Sequence, residues 1–549
     1  MLVSEAVGAT LADLADLGTH TVFGVVGSGN FHVTNALISR GARFVAARHE
    51  CGAACAADAW ARGTGRVGIL TVHQGPGLTN ALTGITEAAK SRTPLLVLAP
   101  DVAGAAVRSN FRIDVAALAT SVGAVPDRLY SPATAAADTA RAYQTARRER
   151  RTVVLAMPLD VQAAHCDPPR IAPLPPLDPP APAPEAVARL TEALAGAARP
   201  VFVAGRGARV ADARADLERL AEASGALLAT SAVAKGLFHG NPWDLGVSGD
   251  FASPLAAELI SQADLVVSWG SSLNMWTMRH GRLIGPGACV AQIDDDSAAI
   301  AAHRPVDVGV RGDVALTARA VLSGLAGPAL PGYRSAGLRS RIAREVRWRD
   351  VPYTDEGGGG RIDPRTLTIA LDDLLPAERV VAVDSGNFMG YPSMFLSVPD
   401  ENGFCFTQAY QSVGLGLASA IGAALAQPDR LPVAALGDGG ALMGASELET
   451  VVRLGLPMVI VIYDDEAYGA EVHHFGPDGF PLDTVRFPAA DIAAIGRGYG
   501  CAGLTVREPG DLAPVRDWLA GPRDRPLVID AKVASESGSW WLEEAFRGH

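Results

Sequence analysis

Residues 432–469 read PVAALGDGGALMGASELETVVRLGLPMVIVIYDDEAYG. An apolar run over Pro432–Leu436 stops at Gly437-Asp438-Gly439-Gly440, which reads as a turn. Ser446–Leu454 has apolar positions at helical spacing, and Gly455 with Pro457 ends it. A second apolar run, Met458–Tyr463, stops at Asp464-Asp465. Short apolar runs bounded in this way read as buried strands. Two strands joined through a helix are parallel, so both acidic ends are expected at one edge of a sheet.

The same blocks recur along the chain. An amphipathic helix over Ser4–Leu17 precedes strands at Thr21–Val26, Arg43–Ala47, Val67–Val72, Pro94–Ala99 and Val153–Met157. After Arg48-His49-Glu50 comes CGAACAADAWAR, nearly all small residues at helical spacing, a helix suited to close helix–helix or subunit contact. A second set of strands falls at Pro200–Ala204, Ala226–Thr230, Leu265–Trp269 and Cys289–Ile293. A third begins with Arg379–Val383 and a Gly/Ala-rich helix over Ser412–Ala424, and ends with Pro526–Val533. Two breaks separate the sets. DPPRIAPLPPLDPPAPAP, 167–184, is a stiff proline-rich linker. Residues 327–360 form a second linker, whose basic run Arg334–Arg349 reads as a solvated helix face. The pattern predicts an α/β protein of three doubly wound parallel-sheet domains, at 1–166, 185–326 and 361–549, the first and third alike.

Composition narrows the function classes. With 549 residues, 48% hydrophobic and 19% charged, the chain suits a large buried core rather than disorder. A net charge of −12 argues against nucleic acid or an anionic membrane as main partner. Six cysteines without a CxxC pair point to a reduced cytoplasm. Cys51 and Cys55, one helical turn apart, read as small core residues. The first residues carry acids at helical spacing and no basic leader, so they do not read as a signal peptide. No apolar run reaches membrane-spanning length.

Asp438 and Asp465 stand 27 residues apart, on strand ends expected to be neighbours, where they are placed to share a hard cation. The glycines beside Asp438 let backbone N–H groups approach a phosphate. Carboxylates together with phosphates suit Mg²⁺. Gly205-Arg206-Gly207 follows a strand but lacks the third glycine of a dinucleotide fingerprint.

This spacing resembles the thiamine-diphosphate (ThDP) motif. The whole chain looks like the pyruvate oxidase, acetohydroxyacid synthase and benzoylformate decarboxylase group, in which pyrimidine-binding, middle and diphosphate-binding domains follow in this order. The resemblance implies that Asp438, Asp465 and the backbone carbonyl of Ala467 hold Mg²⁺, with Asp465 standing where the group usually has Asn. It assigns Ser385, Gly386, Asn387, Gln411, Gly437, Gly439, Gly440, Tyr468 and Gly469 to the cofactor, and Val413 to the apolar wedge beneath it. Glu50 matches the catalytic carboxylate at the cofactor pyrimidine, and Gly75-Pro76-Gly77 the group's Gly-Pro-Gly. Ser28 and His73 stand where benzoylformate decarboxylase has Ser and His, handling the substrate carboxylate and its protons. Tyr468-Gly469-Ala470 matches that enzyme's Tyr-Gly-Ala.

Gln74, Arg112 and Glu471 complete the expected substrate pocket. Glu471 falls where benzoylformate decarboxylase has an apolar residue near its substrate ring. A carboxylate there favours a polar or cationic substrate, or else points to solvent or pairs with a residue such as His473. His280, His473 and His474 are further candidates that the sequence does not place. The implied function is a ThDP- and Mg²⁺-dependent decarboxylase or carboligase acting on a 2-oxo acid through a ThDP enamine. The resemblance also implies a homodimer or homotetramer with sites at the subunit interface. An acetolactate synthase-like carboligase and a catalytically reduced ThDP-binding regulatory subunit remain open. A nicotinamide-dependent dehydrogenase is disfavoured by the absent fingerprint. Phe111-Arg112-Ile113 replaces the synthases' Phe-Gln-Glu, so FAD is not favoured.

Overall fold

Eighteen strands form three sheets of six in the computed structural model, which describes every residue except 170–174, 176, 326, 537 and 543–549. The first sheet holds β1 Thr21–Gly24, β2 Arg43–Ala46, β3 Gly68–Thr71, β4 Leu95–Asp101, β5 Val125–Arg128 and β6 Thr152–Pro158. The second holds β7 Pro200–Ala204, β8 Leu227–Thr230, β9 Asp244–Val247, β10 Leu265–Trp269, β11 Cys289–Asp294 and β12 Val308–Arg311. The third holds β13 Arg379–Val383, β14 Phe404–Phe406, β15 Leu431–Gly437, β16 Val459–Asp464, β17 Ala502–Val506 and β18 Leu527–Lys532. Every ladder among these strands is parallel, as helical crossovers require.

The order is β2-β1-β3-β4-β6-β5 in the first sheet and β14-β13-β15-β16-β18-β17 in the third, the same topology repeated. The middle sheet, β12-β11-β10-β7-β8-β9, has the order of dinucleotide-binding folds. Buried Val, Ile, Leu and Ala side chains cover both faces of the central strands, for example the fully buried Leu95–Ala99 and Val459–Tyr463.

The sequence pattern finds every interior strand and misses β5, β9, β12, β14 and β17. All five lie at sheet edges, where one side of the strand has no neighbour and the apolar run is short or broken by polar residues. A second correction concerns Gly437-Asp438-Gly439-Gly440. The backbone passes from β15 straight into a helix, Asp438–Met443, with Gly437 as its N-cap. Gly437 keeps the extended backbone of the strand, φ −84° and ψ 164°, so the helix starts without an intervening turn.

Part of the proline-rich linker lies outside the described residues, and its last proline opens the helix Pro184–Gly196. The second linker is partly structured. It holds the helix Ala336–Glu345, in which Ile342 is buried and Leu338 and Arg341 are half-buried. Arg334 lies 5.0 Å from the Trp243 ring, and Trp348 donates its indole N–H to the Phe251 carbonyl at 2.7 Å.

The small-residue helix extends over Glu50–Thr64 and packs against Gly416–Ala426 of the third domain. The contact lies within one chain. A Cβ on Gly422 would strike the Ala56 backbone, and one on Gly63 would meet Ala426 at 2.7 Å. Cys55 is buried here against Leu415 and Ala418, as a small core residue.

Candidate active site

In the third sheet the chain order reverses between β13 and β15, the position at which doubly wound sheets open a crevice beyond their carboxyl ends. The ends of β13, β15 and β16 carry Asp384, Asp438 and Asp464-Asp465. A cavity of about 480 Å³ opens there. Ser385, Gly386, Asn387, Gln411, Val413, Gly437, Asp438, Gly439, Gly440, Asp465, Ala467, Tyr468, Gly469 and Glu471 all line it.

The acids at these strand ends have different partners. Asp464 is bonded to the Lys532 ammonium. Asp384 accepts the Ser385 N–H at 2.9 Å, the Gly414 N–H at 3.0 Å and the Leu415 N–H at 3.2 Å, so it fastens the loop before the Gly416 helix to the strand end. Burial pushes the Asp384 carboxyl up to about 6 against the opposing pull of those amides.

Asp438 and Asp465 form no ion pair among the described residues. Burial, then the charges of Asp465 and Asp464, push Asp438 up to about 8. Burial and the Asp464 charge push Asp465 up to about 7, with the Ala467 N–H and the Asn387 side chain pulling down. A buried carboxylate, Asp438, and a half-buried one, Asp465, set together without a counter-charge fit a divalent cation. The described residues contain no group of three or more His, Cys, Asp or Glu side chains arranged for a metal. The fitting donor set is therefore two carboxylates with backbone oxygen and ligand oxygens. Space fits as well. A Cβ on Gly439 would meet the Tyr468 ring at 2.8 Å, and one on Gly469 would meet Asn387 Nδ2 at 2.8 Å.

The C-terminal segment covers one side. Trp541 donates its indole N–H to the Asn387 carbonyl at 3.1 Å and meets the Tyr391 ring edge-on at 4.9 Å. Leu542 and Trp276, the latter from the middle domain, also line the cavity.

A second group of residues sits at the equivalent end of the first sheet. Glu50 opens its helix and accepts the Asn80 amide at 3.0 Å. His73 follows β3, and its Nδ1 accepts the Gly29 N–H at 3.2 Å, which leaves the proton on Nε2 in the neutral ring. Burial holds the imidazole below its ordinary value, and the Glu50 charge opposes that. The ring packs edge-on against Phe111 at 5.3 Å. Ser28 is exposed between Gly27 and Gly29, and a Cβ on Gly27 would meet the His73 ring at 2.8 Å. Gln74 is buried, and its Oε1 has no hydrogen-bond partner among the described residues. Gly75 takes φ +64° where a Cβ would meet the Phe111 carbonyl at 2.8 Å, so the turn before Pro76 requires glycine.

The two groups do not meet within one chain: Ser28, Glu50, His73 and Gln74 do not line the Asp438 cavity. Arg112 is exposed and lines a separate groove with Asp101, Arg128 and Tyr130. His280, His473 and His474 do not line the cavity either. In the middle domain, Gly205 and Gly207 pack against the backbone of Gly270, and Arg206 reaches the Ser91 carbonyl of the first domain. The turn that holds phosphate in dinucleotide folds is used here for packing between domains.

Sequence models of the thiamine pyrophosphate enzymes match three segments. The N-terminal TPP binding domain matches residues 5–118, the central domain 187–321 and the C-terminal TPP binding domain 384–531. A probable 2-ketoarginine decarboxylase of Pseudomonas aeruginosa is 32% identical over 522 residues, 92% of this chain and 90% of the relative. The chain belongs to the thiamine pyrophosphate enzymes. Among other relatives, a sulfoacetaldehyde acetyltransferase of Rhodobacter capsulatus is 28% identical, covering 96% of this chain and 94% of its own length. An acetolactate synthase large subunit of Parasynechococcus marenigrum is 28% identical, covering 94% of this chain and 85% of its own. This thiamine pyrophosphate enzyme is thus a ThDP-dependent decarboxylase or acyl-transferring enzyme. No helix among its described residues is long and apolar enough to cross a membrane.

The sequence reading passes over several residues that shape the site of this thiamine pyrophosphate enzyme. Asp384 carries the same signal as Asp438, an acid closing an apolar strand, and was legible on that ground. Trp276, Trp541 and Asn80 carry no local signal, because their partners lie far away in sequence or on another domain.

Proposed function

We propose that this enzyme decarboxylates a 2-oxo acid whose side chain ends in a cation, using ThDP and Mg²⁺ at a site completed by a second copy of the chain. The observation that carries the reading is Glu471. It lines the Asp438 cavity and has no hydrogen-bond or ion-pair partner for its carboxylate among the described residues. No Lys, Arg or His among the described residues lines that cavity. With Asp438 and Asp465 holding the metal, Glu471 is the remaining charge, and a guanidinium or ammonium group is its natural partner. The relative named as a probable 2-ketoarginine decarboxylase acts, by that name, on such a 2-oxo acid.

ThDP, when bound, supplies the electron sink for the carbanion left as CO₂ departs. The chain's residues do the rest. Asp438, Asp465 and the Ala467 carbonyl would hold the metal, and Ser385, Gly386 and Asn387 would border the diphosphate. Val413 would give the cofactor an apolar support on the cavity wall. Glu50 would be the carboxylate that meets the cofactor pyrimidine. Ser28 and the Nε2–H of His73 hold the substrate carboxylate and deliver the closing proton, the arrangement that resembles benzoylformate decarboxylase, and Gln74 lies beside them. Because Glu50 and the cavity lie apart in one chain, a homodimer or a tetramer built from it brings them together. The cysteine pattern supports a cytoplasmic setting.

The test is the rate of CO₂ release from a guanidinium-bearing 2-oxo acid, pyruvate and benzoylformate, in wild type, Glu471→Gln and Glu471→Leu. The guanidinium substrate should lead in wild type. Loss of a charge-assisted contact should raise its KM by roughly tenfold to a hundredfold. Glu471→Leu should move preference toward benzoylformate. A wild type that prefers pyruvate, with the ranking unchanged in both variants, contradicts the reading. Product formation when an aldehyde is added would instead favour acyl transfer.

A further inference from the structure

Two buried carboxylates cross between the first and third domains of the same chain, one in each direction. Glu447, in the third domain and 3% exposed, accepts the N–H groups of Arg48 and His49 on one oxygen, both at 3.0 Å. Its other oxygen takes the Thr450 hydroxyl at 2.7 Å. Gly52 leaves the room, since a Cβ there would meet this carboxylate. The backbone so held is the turn immediately before Glu50. Glu87, in the first domain and 1% exposed, accepts the Ala409 N–H at 3.2 Å on one oxygen and the Tyr410 N–H at 2.7 Å on the other. Arg62 neutralises it at 2.8 Å. The backbone so held leads into Gln411, a non-glycine residue at φ +60°, and then Val413, both on the cavity wall. A left-handed backbone at Gln411 persists only where its surroundings fix it.

We propose that Glu447 and Glu87 are reciprocal positioning residues: Glu447 sets the turn that presents Glu50, and Glu87 sets the loop that carries Gln411 and Val413 to the cofactor. The proposal rests on the roles given above to Glu50 and to the cavity. Each strut spans a domain boundary and holds two successive amides, so each fixes direction as well as position. The acceptor pattern also separates the two chemically. At Glu447 a single oxygen takes both amides, and an amide side chain still supplies that oxygen. At Glu87 each oxygen takes one amide, and a Gln there must turn an NH₂ group against an N–H.

The experiment uses the full-length protein and the variants Glu447→Gln, Glu447→Ala, Glu87→Gln and Glu87→Asp. Three quantities are read: amide hydrogen exchange of the apo protein, calorimetric ThDP affinity with Mg²⁺, and C2–H/D exchange of bound ThDP. Glu447→Ala should expose the Arg48 and His49 amides and slow C2 exchange by up to about a hundredfold, the cost of misplacing a reacting group by about 1 Å. Its ThDP affinity should stay within a few-fold of wild type. Glu447→Gln should restore both readings. Glu87→Gln and Glu87→Asp should both expose the Ala409 and Tyr410 amides and weaken ThDP by about tenfold, with C2 exchange of the saturated enzyme retained. Variants that leave all three quantities at wild-type values, or that move both loops together, overturn the proposal. Glu50→Gln is the separate control. If it exchanges C2–H at the wild-type rate, the role of Glu50 fails, whatever the struts show.

Discussion

Asp438 and Asp465 tie the cavity to pH. Their carboxyls stand at about 8 and about 7 in the fold, above the ordinary range. The folded apo protein therefore keeps protons that the unfolded chain has shed, and this pair withdraws stability as pH rises from about 4 toward 8. A cation that replaces those protons binds better as they leave. Mg²⁺ with ThDP should raise the thermal midpoint more at about pH 8.5 than at about pH 6, and EDTA should abolish the difference. Equal shifts at both pH values would separate the cofactor from these carboxylates. Asp438 and Asp465 were legible in the sequence because each closes an apolar run. Glu87 and Glu447 were not. A carboxylate that accepts backbone N–H groups looks, in sequence, like any surface acid, and the partners here are more than 300 positions away.

At the scale of elements, buried strands announce themselves and edge strands do not. Leu265–Trp269 is buried throughout and is readable from its apolar run alone, whereas Val125–Arg128 carries Pro126, Asp127 and Arg128 and is not. The small-residue helix was legible as a close-packing element, but its partner was not, since alanine and glycine do not say which backbone they face. Packing now supplies a test. Gly422 lies against the Ala56 backbone, so Gly422→Val overfills the seam between the first and third domains. It should destabilise the fold by about 1–3 kcal/mol, read from the guanidinium unfolding midpoint, while Gly498→Val, with no atom within 4 Å of its added Cβ, serves as the control with a far smaller effect. Equal losses at both positions would remove the seam as the cause.

For the whole molecule, one topology appears twice, and each copy carries a group of candidate site residues at its carboxyl edge. The first sheet presents Glu50 and His73, the third presents the Asp438 cavity, and within a chain they remain apart. The account therefore requires two chains for one active site. Its most direct test is to co-express Glu50→Gln with Asp438→Ala in equal amounts and measure CO₂ release by the purified mixture of dimers. Each variant alone should be inactive. Random two-fold pairing puts both lesions into one site and leaves the other intact in half of the dimers, so activity should return to about a quarter of wild type. A mixture as inactive as the separate variants, with hybrid dimers shown to be present, would contradict the shared site.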